Sequence, residues 1–216
     1  YDLDNLRELL DLDEKYPSYQ KVAASVIAKD TGNWFSVFTI DKGSKDGLKK
    51  GMNIMAGSGL VGIITDVGPN YAKVRSIIDD SANVSAMVTT TGDNMNVSGN
   101  LQTMNSDQAI TFSELRDSED KVQIGDPVVT SYVSDQYQQG LLIGYIYSVE
   151  DNANNLTKSG YITPVVDFRH LQEVLVILEL KNYVPSDSVS PAADTAETAA
   201  AGDAASEAAL QTEPEM

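Results

Sequence analysis

Along most of the chain the apolar residues fall in short, β-branched runs broken by Gly, Asn, Asp and Pro. KVAASVIAK (21–29), WFSVFTID (34–41), MNIMAG (52–57), VGIITDVG (61–68), AKVRSIID (72–79) and NVSAMVTT (83–90) form a first series. After TTTGDNMN the same texture resumes with VSGNLQT, QAITFSEL, DPVVTSYV, LLIGYIYSVE, GYITPVVD and EVLVILEL. Many short strands with turn signals at this spacing predict a barrel or sandwich, so a mostly β fold. In GNWFSVFTID, alternation sends Trp34, Ser36 and Phe38 to one face and Phe35 and Val37 to the other, and core packing of Trp34 outweighs an exposed aromatic anchor.

The two ends break this pattern. In YDLDNLRELLDLDE (1–14), Leu3, Leu6 and Leu10 stand at helical spacing among acids, a narrow seam that ends before Pro17. Residues 1–16 are therefore assigned as the end of a coiled-coil helix with Leu3, Leu6 and Leu10 as self-association residues, although two heptads equally suit a short docking helix. Residues 184–216 are mostly Ala, Ser, Thr, Pro and acid, with seven carboxylates and no aromatic or basic residue. Such a segment buries too little apolar surface to offset its chain entropy, and disorder is expected there.

The formal net charge is −17, from 32 acidic and 15 basic residues. This balance argues against nucleic-acid binding and against adhesion to anionic lipid through a basic face. Without cysteine, disulfides and thiolate chemistry are excluded; the lack is only a weak pointer to an extracytoplasmic site. No apolar run reaches membrane-span length, and the opening on Tyr1 within a polar pattern suggests a piece of a longer chain, with an anchor upstream left open.

NIMAGSGLVGIITDV holds a complete G-x-G-x-x-G at Gly57, Gly59 and Gly62, with Asp79 and Asp80 following at dinucleotide-fold spacing. The nucleotide reading needs a helix after Gly62, but Ile63 and Ile64 favour strand and Gly68-Pro69-Asn70 turns the chain too soon. Internal repetition explains the glycines better. LKKGMNIM (48–55) parallels VQIGDPVV (122–129), GLVGIITDV (59–67) parallels GLLIGYIYSV (140–149), and IIDDSANVSAMV (77–88) parallels VVDFRHLQEVLV (165–176). Three matches in order point to a duplicated small barrel, 20–98 and 99–183. Gly51 and Gly125 would then enter strands through positive φ, and Gly62 and Gly144 would sit where another backbone passes closely. Whether the C-terminal strand returns to the first barrel stays open.

Candidate chemistry is sparse. His170 is the one histidine and cannot make a zinc site alone; it stands in a polar loop beside Arg169, where a solvated surface residue is expected rather than a protease triad, and no nucleophile elbow accompanies it. DDS (79–81) and DSED (117–120) read as loop ends and caps rather than metal ligands, and SYVSDQYQQG offers only a compositional hint of sugar binding through Tyr132 and Tyr137. No cofactor or metal site is expected.

The run from LRELLDL through VAASVIAKD to NWFSVFTIDKGSKDGLKKGMNIMAGSGLVGIITDVGPNYAKVRSIIDDSANVSAMV, with GLLIGYIYSVEDN and VVDFRHLQEVLVIL later, resembles the rod shape-determining protein MreC family over residues 3–183. The resemblance rests on Asp41-Lys42-Gly43, Gly47, Gly51, the Gly59–Gly62 strand and Asp79 taken together. It implies a single-pass bacterial membrane protein with a coiled coil and two barrels outside the membrane. It also implies a non-enzymatic scaffold of cell-wall elongation that dimerises or forms filaments. The implied partners are a class B penicillin-binding protein, MreD and the MreB system; the implied membrane contact runs only through an N-terminal span. A periplasmic adaptor of an efflux or secretion system is the alternative, and a barrel protease ranks third.

Overall fold

The structure, a computed structural model, describes residues 16–181 apart from 17, 31–33, 58, 118–119 and 153–155. The expected N-terminal helix with Leu3, Leu6 and Leu10, and the acidic segment 184–216, lie outside the described residues. In chain order the strands are β1 (Lys21–Lys29), β2 (Val37–Ile40), β3 (Asn53–Ala56), β4 (Gly59–Val67), β5 (Ala72–Ser76) and β6 (Asn83–Val88). They continue with β7 (Asn94–Ser98), β8 (Ile110–Leu115), β9 (Pro127–Thr130), β10 (Leu142–Asp151), β11 (Lys158–Pro164) and β12 (Glu173–Ile177). A short helix α1 (Leu101–Asp107) stands between β7 and β8.

These strands close two six-stranded barrels, in the cyclic orders β1-β12-β3-β4-β5-β2 and β10-β11-β8-β7-β6-β9. All strand pairs are antiparallel, and closure leaves neither barrel an open sheet edge. Advancing β1 to β5 by six and putting β6 in the place of β12 turns the order of the first barrel into that of the second. The duplication is therefore real in topology, but the sixth strand of each repeat is exchanged. β6 leaves its own repeat to pair with β7 and β9, and β12 returns to pair with β1 and β3.

This corrects the expected division at residue 98. Strands β6 and β7 belong to the second barrel, whose strands span residues 83–164, and β12 completes the first. Sequence matching finds equivalent strands and says nothing about which barrel each one closes. A second correction concerns VSGNLQT, read as strand throughout. That strand ends at Ser98 and Asn100 caps α1, its Oδ1 accepting from the Thr103 amide at 3.0 Å, while Met104 is the buried residue of the helix.

Inward-facing residues alternate with outward ones, and one contiguous apolar cluster runs through both barrels. Its fully enclosed members include Phe38, Ile54, Leu60, Val74 and Val176 in the first barrel and Val84, Val97, Ile110, Val128 and Ile162 in the second. Trp34, Ser36 and Phe38 are buried as alternation predicts. The equivalent glycines Gly51 and Gly125 take φ of 92° and 96°, and donate to Ile64 O and Ile146 O at 2.9 and 2.8 Å.

Candidate functional site

The three glycines of the apparent nucleotide motif meet different structural demands. β4 runs unbroken from Gly59 to Val67, so no helix end faces a pyrophosphate. At Gly59 a Cβ would stand 2.4 Å from the Leu142 carbonyl oxygen of the second barrel, so at this glycine the backbones of the two barrels pass closely. At Gly62 the obstruction lies within the first barrel, on the Arg75 carbonyl.

Around Gly59 the barrels are joined by buried polar contacts. The Asn53 carboxamide, 1% exposed, uses both ends on the loop between β9 and β10. Its Nδ2 donates to Gln136 O at 3.1 Å, and its Oδ1 accepts from the Gln138 amide at 2.7 Å. The Leu142 amide donates to Tyr16 Oη at 3.2 Å. Burial pushes the Tyr16 hydroxyl above its ordinary pKa, outweighing the opposing effect of that amide. On the other side Trp34 Nε1 donates to Asn105 Oδ1 of α1 at 2.6 Å, while the Arg169 guanidinium lies 4.3 Å from the indole centroid. These contacts order the two barrels as neighbours before any partner binds.

His170 is strongly exposed at the loop before β12, with Nδ1 2.7 Å from Asp167 Oδ2. That matches a surface histidine. Asp79 accepts from the Ser81 amide at 3.0 Å and Asp80 from the Leu101 amide at 2.8 Å, so the acidic pair organises turns as expected. Among the described residues no cluster of His, Cys, Asp and Glu could hold a metal ion. Tyr137 is buried, its hydroxyl pushed up to about 12, chiefly by desolvation, while Tyr132 is exposed. The paired platform suggested by SYVSDQYQQG is thus not formed.

Exposed aromatic surface gathers elsewhere, in a place that the sequence reading missed. Tyr145 and Tyr147 on β10 and Tyr161 on β11 point outward, 44%, 59% and 37% exposed. Tyr161 is the cross-strand partner of Ser148, just beyond the bulge at Tyr147. Charge is also segregated between the barrels. Residues 16–82 and 171–181 carry nine Lys and Arg against eight acids, whereas residues 83–170 carry four against eleven.

The family model described as rod shape-determining protein MreC, barrel core, matches residues 26–178. The chain belongs to the MreC family. It is 31% identical over 193 residues to the cell shape-determining protein MreC of Listeria monocytogenes, covering 88% of this chain and 64% of that protein. It therefore spans just under two thirds of that relative's length. A solved structure of the Listeria MreC superposes with a TM-score of 0.67 at 31% identity, over 84% of this chain and 88% of the other. MreC in a solved complex with a penicillin-binding protein, PBP2, from Helicobacter pylori shares the fold at a TM-score of 0.54 and 14% identity, over 74% of this chain and 99% of that one. Family membership sets aside the efflux or secretion adaptor. Among the described residues no helix is long and apolar enough to cross a membrane.

Proposed function

We propose that the chain is the extracytoplasmic part of a non-enzymatic scaffold of cell-wall elongation, held at the cell membrane by a single span upstream. Its work is to bind a class B penicillin-binding protein and copies of itself, with MreD and the MreB system reached through the anchored portion. The observation that carries this reading is the match of the twin-barrel core to MreC over residues 26–178. The Helicobacter complex supports a synthase as partner, and the greater length of the Listeria relative leaves room for an anchor. Self-association is assigned to Leu3, Leu6 and Leu10 on the segment preceding the first barrel, each leucine contributing roughly 1.5–3 kcal/mol when buried.

Immobilised chain should capture a purified class B penicillin-binding protein saturably in biolayer interferometry. A folded chain that captures none would refute the scaffold reading. Sedimentation equilibrium of a version extended upstream, with and without Leu6→Asp and Leu10→Asp, tests the seam. Dimerisation undiminished by both substitutions would remove it as an interface.

A further inference from the structure

We propose that the outer wall of the second barrel binds a glycan of N-acetylated amino sugars. The choice of this sugar class rests on the wall-elongation reading; the binding face itself rests on the structure. Asn83, Ser98, Thr111 and Tyr161 are successive cross-strand partners from β6 through β7 and β8 to β11. One step along the strands, Ser85, Asn96 and Ser113 form a second such row. Their chain neighbours Val84, Val97, Ile110 and Phe112 fill the core, so both rows lie on the outside.

Neither row contains a charge, although residues 83–170 hold eleven acids. The side chains of Asn83, Ser85, Asn96 and Ser113 make no hydrogen bond among the described residues. Beside them Asn94 Oδ1 accepts from Ser131 Oγ at 2.6 Å, which leaves its Nδ2 as the group offered outward. A groove of about 660 Å³ runs past Ser85, Asn94 and Asn96, and Asp93, Glu114 and Arg116 also line it. That volume falls within the roughly 300–1,000 Å³ of small-ligand sites.

A pyranose presents a flat C–H face and a periphery of uncharged donors and acceptors. Tyr161, with Tyr145 and Tyr147 on the adjoining strand, supplies exposed rings for the first, and the amide and hydroxyl rows supply partners for the second. Acetamido groups match free carboxamides in both donor and acceptor. Apart from Tyr161 every residue of the two rows is small, uncharged and polar, which suits the hydroxyl and acetamido periphery of a sugar better than the apolar centre of a protein interface.

The test is a titration of the ¹⁵N-labelled 216-residue chain with chitohexaose, using cellohexaose, which lacks acetamido groups, as control. Amide shifts should cluster on β7, β8 and β11, and Asn96→Ala and Tyr161→Ala should each weaken binding about tenfold. Both substitutions are exposed or half-exposed, and wild-type melting temperatures will show that the fold survives. Absence of shifts, equal response to cellohexaose, or unchanged affinity in both variants would overturn the proposal. So would variants that lose capture of the penicillin-binding protein while keeping the sugar, since the face would then be a protein interface. Failure of synthase capture by the wild-type chain, with sugar binding intact, sinks the scaffold reading and leaves this one standing.

Discussion

Gly62 and Gly144 hold the same place in the two barrels. A Cβ on Gly62 would lie 2.1 Å from the Arg75 carbonyl oxygen, and one on Gly144 2.1 Å from the Thr163 carbonyl oxygen. Each glycine sits where β4 or β10 crosses its neighbouring strand, and the obstructing atom is backbone, which cannot swing aside as a long side chain would. Gly62→Ala and Gly144→Ala should each lower unfolding free energy by about 1–3 kcal/mol or more, as overpacking does. Gly47→Ala makes the control, since its φ is +88° but its Cβ would meet open space. It should cost about 1 kcal/mol, the penalty of the left-handed backbone alone. Urea titrations of the three variants would check this, and equal losses at all three sites would mean that close approach is not what fixes the two strand glycines.

The exchanged strands make a prediction about fragments. A chain ending at Phe168 lacks β12, which lies between β1 and β3 and contributes the fully buried Val174, Val176 and Ile177. Its removal opens two strand edges in the first barrel and uncovers the core. Residues 83–170 retain all six strands of the second barrel. The fragment 83–170 should therefore give a dispersed amide spectrum, while 20–98, which combines strands of both barrels, should not. A folded 20–98 would show that β6 can close its own repeat and that the exchange is not obligatory.

How far the sequence shows this architecture depends on which residues are asked. Trp34, Ser36 and Phe38 declare their burial by alternation, and Gly51 and Gly125 announce themselves through the repeat. The destination of β6 and β12 is invisible, because both are apolar strands and either barrel would bury them. Asn100 followed by Leu101 and Met104 did carry a helix signal, a cap and an i,i+3 apolar pair, concealed by the preceding strand. The outer rows of the second barrel escape for another reason. Asn83, Ser98, Thr111 and Tyr161 are dispersed in sequence, and only strand register sets them side by side. Net charge misled in the same way, since it hides the near-neutral first barrel behind the acidic second.

Acid should weaken the second barrel through Asp117. Its carboxylate side chain is 1% exposed and accepts from the Lys121 and Val122 amides at 2.9 and 3.1 Å and from Lys158 Nζ at 3.1 Å. Burial alone would raise its pKa, but these hydrogen bonds and the lysine's charge outweigh it and hold the group below the ordinary 3.8. A carboxyl depressed on folding stabilises the protein above its unfolded pKa, and that stabilisation is lost as pH falls from about 3.8 toward the folded value. Asp117→Asn should cost about 1.5–3 kcal/mol at pH 7, the range for hydrogen bonds to a charged group. The gap from wild type should narrow as acid titrates the carboxylate. Denaturant unfolding at neutral pH and near pH 3 would decide, and a gap that stays constant would rule out the charged form of Asp117 as its source.

The single tryptophan should report on the union of the barrels. Trp34 belongs to the segment entering β2, is 6% exposed, and reaches across to Asn105 on α1. Asn105→Ala leaves the indole N–H without its partner in a nearly closed site, a loss of about 1–3 kcal/mol. Water entering to satisfy that donor should shift the emission to longer wavelength in the folded protein. Arg169→Ala acts differently. Its guanidinium stacks on the indole from the solvent side, so the loss should be nearer 0.5–1 kcal/mol, as for exposed cation–π pairs. The two residues meet at one ring, so the double variant should depart from the sum of the single losses. Fluorescence-detected unfolding of wild type, both single variants and the double variant measures all of this. If Asn105→Ala leaves both emission and stability unchanged, the hydrogen bond does not hold α1 against the first barrel, and the junction rests on Asn53 and the close passage at Gly59.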